Sequence, residues 1–145
     1  ARPLSGSEGG LYPFWSPDSR AIGFFAGDEL KRWDIDVGVA RSLTRVARGR
    51  GGSWSADGTI LFAPNAGPLS EIRATGGPVA EATRLSGGQT GHRFPAFLPD
   101  GRHFLFLAEG DVESRGIYLG ERGGGEATRL MAGGSNARYL EPGWL

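Results

Sequence analysis

Short apolar runs, each entered through a glycine- or serine-bearing corner, recur along this chain. "AIGFF" (21–25), "ILFA" (60–63) and "HFLFL" (103–107) place Ile22, Ile60 and Phe104 at one position and Phe24, Phe62 and Phe106 two residues later. That period of two is the spacing of a β-strand with distinct faces. An aromatic-led corner precedes each run: "WSPDSR" (15–20), "WSADGT" (54–59) and "FLPDGR" (97–102), with a degraded fourth copy, "YLEPGW" (139–144). The leading aromatics Trp15, Trp54, Phe97 and Tyr139 are separated by 39, 43 and 42 residues. Within the corner, proline presets φ, Asp18, Asp57 or Asp100 bonds its own nearby backbone, and glycine tolerates positive φ.

The remainder of each copy keeps the same order. A third strand is predicted at "LKRWDID" (30–36), "LSEIRAT" (69–75) and "GIYLGER" (116–122), and a fourth at "ARSLT" (40–44), "ATRL" (82–85) and "ATRL" (127–130). No segment has helical periodicity, and "DVESR" (111–115) reads as a loop. Four short antiparallel strands per repeat of about forty residues is the signature of a β-propeller blade. The expected fold is therefore all-β, a partial propeller in a single segment over residues 1–145. It comprises blade one at 10–44, blade two at 49–86 and blade three at 92–131, with an orphan fourth strand at 1–5 and the start of a further blade at 135–145.

"PFWSPDSRAIGFF" resembles the blade motif of TolB-type β-propellers, relatives of the WD-repeat architecture. "YPFWSPDSRAIGFFAGDELKRWD", "GRGGSWSADGTILFAP", "GHRFPAFLPDGRHFLFLA" and "SNARYLEPGWL", in that order, resemble the C-terminal propeller of certain bacterial Ser/Thr protein kinases. The resemblance covers essentially the whole chain. It implies further blades before "ARPL", strand after "PGWL", and a sensing, scaffolding or partner-binding module tethered to a kinase. The kinase signatures are not in this chain: its one lysine, Lys31, sits in "LKRWD" without a Gly-rich loop, and there is no His-Arg-Asp or Asp-Phe-Gly.

Composition narrows the partners. Lys+Arg 16 balances Asp+Glu 16, so the chain lacks the broad positive field that dominates nucleic-acid affinity. Four Trp and eight Phe supply the apolar surface that disordered chains lack. With no cysteine, disulfides, thiolate metal sites and Cys nucleophiles are excluded. No apolar run approaches the roughly 20 residues of a membrane-spanning helix, so membrane insertion of this segment is not expected. The compartment is left open.

Catalytic patterns are sparse. "SGSEG" (5–9) and "GGSWS" (51–55) each miss the Gly-x-Ser-x-Gly elbow by one glycine and read as turns. His92 and His103 flank a turn without clustered carboxylates, and "DIDVG" (34–38) lacks the closing ligands of a calcium loop. No cofactor or metal is expected, and no enzyme activity of this chain. Trp15, Trp54, Phe97 and Tyr139 read as inter-blade core, and Asp18, Asp57 and Asp100 as turn caps. His92-Arg93 stands outside the repeat at the start of a channel-lining strand, and Arg50 occupies the place of Arg93 in the blade before. These three are the candidate contacts for a protein partner or a small anionic ligand.

The expected role is a non-catalytic binding, sensor or scaffold segment of a regulatory propeller. The alternatives are an accessory propeller of a peptidase- or lactonase-like enzyme, or a self-assembling structural fragment. Three blades leave two apolar faces and two strand edges to be covered, by further blades of a parent chain or by a second copy. Self-association therefore predicts a dimer by light scattering, and a well-folded 15.3 kDa monomer at high concentration overturns it.

Overall fold

The computed structural model describes residues 3–140 and contains three four-stranded antiparallel sheets, ordered β1-β2-β3-β4, β5-β6-β7-β8 and β9-β10-β11-β12. The first holds β1 (Leu11–Trp15), β2 (Ala21–Ala26), β3 (Glu29–Asp34) and β4 (Val39–Arg45). The second holds β5 (Gly52–Trp54), β6 (Thr59–Phe62), β7 (Ser70–Arg73) and β8 (Ala80–Glu81). The third holds β9 (Gln89–Phe97), β10 (His103–Gly110), β11 (Gly116–Glu121) and β12 (Thr128–Met131). Each sheet is one repeat of the sequence, so the period marks whole blades. No helix is present among the described residues. Residues 111–115 close a single turn through an Arg115 N–H to Asp111 carbonyl bond of 2.9 Å.

The second strand of each blade is the centre of the packing, because its alternating side chains serve two interfaces. Phe14, Phe25 and Leu30 of blade one meet Ile60, Phe62 and Ile72 of blade two in one layer. On the other face of blade two, Leu61, Ala63 and Leu69 meet Phe104, Phe106 and Tyr118 of blade three. Two half-layers close the ends of the arc. Phe24, Ala26 and Trp33 are covered by Leu4, while Leu105, Leu107 and Ile117 have Phe94, Leu98, Leu119 and Ala137 against them. Gly49 is required in the first full layer, since a Cβ there would enter the Phe25 ring.

The first strands carry a shared irregularity. Tyr12 (φ 52), Gly51 (φ 100) and Phe94 (φ 51) all adopt left-handed backbone, each three residues before the repeated aromatic. The β1–β2 and β9–β10 ladders shift register at this point, as at a β-bulge. Glycine takes this conformation without a Cβ clash, whereas a bulky aromatic is held there against strain of about 1–3 kcal/mol. The bulges turn the Tyr12 and Phe94 rings toward each other, with centroids 5.7 Å apart. Residues 12–13, 51–52, 94–96 and 136–138 together line a cavity of about 170 Å3.

Two expectations need correction, and a third lies partly outside the described residues. The fourth strand of blade two lies at Ala80–Glu81 rather than 82–85. Thr83 offers its side-chain oxygen, not its backbone, to the Leu69 N–H at 2.8 Å, and this ends the ladder. The flanking strands expected at 1–5 and 135–145 fall partly outside the described residues. Within them, residues 3–5 and 135–139 carry no named strand. Leu140, at the edge of the described residues, is a single bridge residue.

Trp15 is the second correction: it is not core but 58% exposed. Trp54 and Phe97, by contrast, pack on layers shared with the preceding blade. Blade one has no sheet before it among the described residues, so the same sequence position faces solvent.

Phe106 lies 1% exposed in the layer between blades two and three and contacts the rings of His92, Phe104 and Tyr118. Phe106→Ala is expected to destabilise the chain by about 3–5 kcal/mol, read from urea unfolding. The exposed Val112, placed outside every layer at 86% exposure, should change stability by less than about 0.5 kcal/mol on conversion to Ala.

Candidate functional site

In all three corners the aspartate closes on N–H groups two or three residues on, and in the first two it also holds a serine hydroxyl. Asp18 Oδ1 accepts the Ser16 hydroxyl at 2.7 Å and the Arg20 N–H at 3.1 Å. Asp57 Oδ1 accepts the Ser55 hydroxyl and the Thr59 N–H, the latter at 3.0 Å. Asp100 Oδ1 accepts the Arg102 and His103 N–H groups, both at 2.9 Å, and its Oδ2 lies 2.6 Å from His103 Nδ1. Side-chain and backbone donors hold the Asp100 carboxyl at about 2, with His103 as the largest cause. Partial burial pushes Asp57 upward, yet the Ser55, Arg122 and Thr59 donors outweigh it and hold that carboxyl well below the usual range.

Because each blade places its corner at the same end of the arc, the corners of blades two and three converge on one cleft. Its volume is about 670 Å3, and Trp54, Phe97 and Tyr139 line it together with Pro17, Leu98 and Pro99. Arginines tie the blades together beneath it. Arg122, just after β11 in blade three, donates to Asp57 Oδ2 at 2.7 Å and to Thr59 Oγ1 at 3.0 Å in blade two. Arg32 of blade one donates to the Ala74 carbonyl at 3.1 Å, and its guanidinium lies 5.1 Å from the Trp54 ring centroid. Arg102, at the rim, is paired with Glu121 through Nε at 2.6 Å.

The other end of the first strands holds the residues singled out for standing outside the repeat. His92 is 2% exposed and packed on the Phe106 ring at 4.5 Å, within the interface between blades two and three. Its bonds define one tautomer. Gln89 Oε1 already accepts the Ser86 N–H at 2.9 Å, so it accepts from His92 Nε2 at 3.0 Å as well. His92 Nδ1 is then the acceptor for the Thr83 hydroxyl at 2.8 Å. Burial lowers the imidazole to about 4, so it is neutral near pH 7 with both nitrogens engaged.

The two arginines part company. Arg93 Nε lies 2.5 Å from Glu109 Oε2, and its Nη2 is 3.5 Å from the Asn65 carbonyl. Arg50 Nη1 donates to the Tyr12 hydroxyl at 3.2 Å, and its Nε, like that of Arg93, is buried without a hydrogen bond of good geometry. Neither arginine lines either of the two cavities. Among the described residues, no three His, Asp or Glu side chains gather as a metal site would require.

The cleft residues missed as a site were visible in the sequence only as repeat grammar. Trp54, Phe97 and Tyr139 looked architectural because they recur. The signal that they share a surface was the recurrence itself, since equal positions in successive blades lie at the same end of the arc.

The architecture has known counterparts. The chain is similar to the TolB-type protein of Agrobacterium tumefaciens, with TM-score 0.69 and 24% identity over 83% of this chain and 50% of that one. TolB of Acinetobacter baumannii gives TM-score 0.69 and 26% identity over 87% of this chain and 33% of that one. This chain is a partial β-propeller. It spans half the length or less of these two relatives. A structure of a prolyl endopeptidase shares the fold at TM-score 0.59 and 15% identity, over 90% of this chain and 23% of that one. No family model matches the sequence, and no curated protein matches it.

The buried His92 makes stability depend on pH in a defined window. Its folded value of about 4 lies below the ordinary 6.5, so the unfolded chain binds the proton more readily. The contribution is complete above about pH 6.5 and is lost as pH falls toward 4. Between pH 7.5 and 5 the loss should be about 2 kcal/mol in urea unfolding. His92→Gln should flatten this slope, and a slope unchanged in that variant would show that another group carries it.

Proposed function

We propose that this chain is a non-catalytic binding or sensor segment of a regulatory β-propeller, and that it engages its partner at the corner cleft. The observation that carries this reading is the convergence of three repeated aromatics on one open cleft whose carboxylates are all committed to turns and ion pairs. Ligand sites commonly have such a size and such an aromatic lining, with a few fixed polar groups. General acid–base or nucleophilic chemistry needs a group free to exchange a proton with substrate. In the cleft, Asp57 is held by Ser55, Thr59 and Arg122, and Asp100 by its own turn and His103.

The likeness of the fold to TolB proteins supports a binding or accessory role for a propeller of this kind. The resemblance of "PFWSPDSRAIGFF" and its sister motifs to kinase-associated propellers supports a regulatory parent protein. An in-frame kinase domain in the coding sequence upstream is the expected finding for that parent, and an unrelated catalytic domain there would displace it.

The site is tested by mapping 15N–1H chemical shifts while the chain is titrated with mixtures of short peptides, oligosaccharides and nucleotides. Shifts are expected to cluster on Trp54, Phe97, Gly101 and Tyr139, which all line the cleft. A cluster at Arg50, His92 and Arg93, or no cluster, overturns the assignment of the site.

A further inference from the structure

The hydrogen-bonding groups of the cleft are unevenly committed, and this selects among occupants. Its side-chain carboxylates are in use. Asp57 holds the Ser55 hydroxyl, the Thr59 N–H and the Arg122 guanidinium, and Asp100 holds two backbone N–H groups and His103. The Ser53 hydroxyl accepts the Phe97 N–H at 3.0 Å, which leaves its own proton to donate. The cleft's cations are also engaged, Arg122 with Asp57 and Arg102 with Glu121.

What remains is donors and flat apolar surface. Among the described residues, no hydrogen bond joins the Trp54 indole N–H or the Tyr139 hydroxyl to another group, and both residues line the cleft. Phe97 adds a third ring, and Pro17, Leu98 and Pro99 also line the cleft. An occupant that fits supplies carbonyl acceptors and compact rings, and few donors of its own. A sugar brings a donor with every hydroxyl and leaves those donors unmet, at a cost for each one buried. A phosphate or carboxylate needs a cation not already neutralised.

Proline supplies the required chemistry: a carbonyl at every residue, no N–H, and a ring that lies against an aromatic face. A run of prolines is also preformed as a polyproline-II helix, so little ordering entropy opposes its docking. Resting on the reading of the corner cleft as the binding site, the geometry points to a groove for a proline-rich, polyproline-II segment of a partner protein. Trp54 and Tyr139 are the donors that hold its carbonyls, and Phe97 is the platform between them.

Fluorescein-labelled decaproline titrated with the 145-residue chain and followed by anisotropy tests this assignment. The competitors are unlabelled decaproline, a Gly-Ser peptide of equal length, and maltohexaose. Saturable binding displaced by decaproline alone is expected. Trp54→Ala should weaken it by about tenfold or more, and Tyr139→Phe by about threefold, because the latter keeps the ring and removes only the donor. Tyr139→Phe removes one surface atom, so it still tests the claim if Trp54→Ala unfolds by circular dichroism. Absence of decaproline binding, or binding indifferent to Tyr139→Phe, overturns the proline assignment. Competition by maltohexaose or the Gly-Ser peptide also overturns it, while the shift map at the cleft would still stand. A cleft silent in that map removes both.

Discussion

Each blade is a sheet with two apolar faces, and no blade can bury both by itself. This is the constraint from which the rest of the structure follows. The second strands carry it: Ile60 and Phe62 face blade one while Leu61 and Ala63, one residue out of step, face blade three. A sheet in solution commonly pairs one apolar face with one polar face; here the polar face is gone and the neighbouring blade replaces water. Burial of these strands is accordingly near complete, with Ile60, Leu61 and Ala63 all 0% exposed. At about 25 cal/mol per Å2 of apolar surface, the inter-blade layers form the dominant favourable term in this fold.

The polar clasps are subordinate to that packing and depend on it. Arg122 can reach Asp57 and Thr59 only because the layer between blades two and three fixes the distance between their corners. Arg32 over Trp54 does the same work between blades one and two. An exposed ion pair contributes little on its own, typically about 0–1 kcal/mol. Its consequence here is chemical. Each clasp uses up a charge that would otherwise lie open in the cleft, and so leaves a surface of rings and neutral donors. The electrostatics of the corners thus set the chemistry that the cleft presents more than how firmly the blades hold.

Much of the blade architecture was legible from local pattern. The corners at Asp18, Asp57 and Asp100 are short-range structures, closed by a carboxylate and the N–H groups two or three residues on, and short-range structure is written in adjacent residues. The strands after them declare themselves through alternation. Less legible were features decided by a neighbour in space. Thr83 ends a strand because its hydroxyl meets the Leu69 N–H, fourteen residues away. Trp15 is exposed and Trp54 half-buried although the two occupy one position of the repeat, because among the described residues only Trp54 has a preceding blade to pack on. His92 looked like a channel residue, yet Phe106, Thr83 and Gln89 draw it into an interface that joins residues from two blades.

By itself, then, the sequence determined the blade: four strands, a capped corner and two apolar faces, repeated three times, since each of these arises from residues close together along the chain. The tertiary structure alone decided the cleft. Trp54, Phe97 and Tyr139 are about forty residues apart in sequence and become one surface only when stacked blades bring equal positions to the same end of the arc. It also decided which charges stay free, because ion pairs such as Arg122 with Asp57 join residues 65 apart. Composition and spacing hold no record of which cation such a carboxylate will meet. That choice follows from the packing of one blade's apolar face against the next.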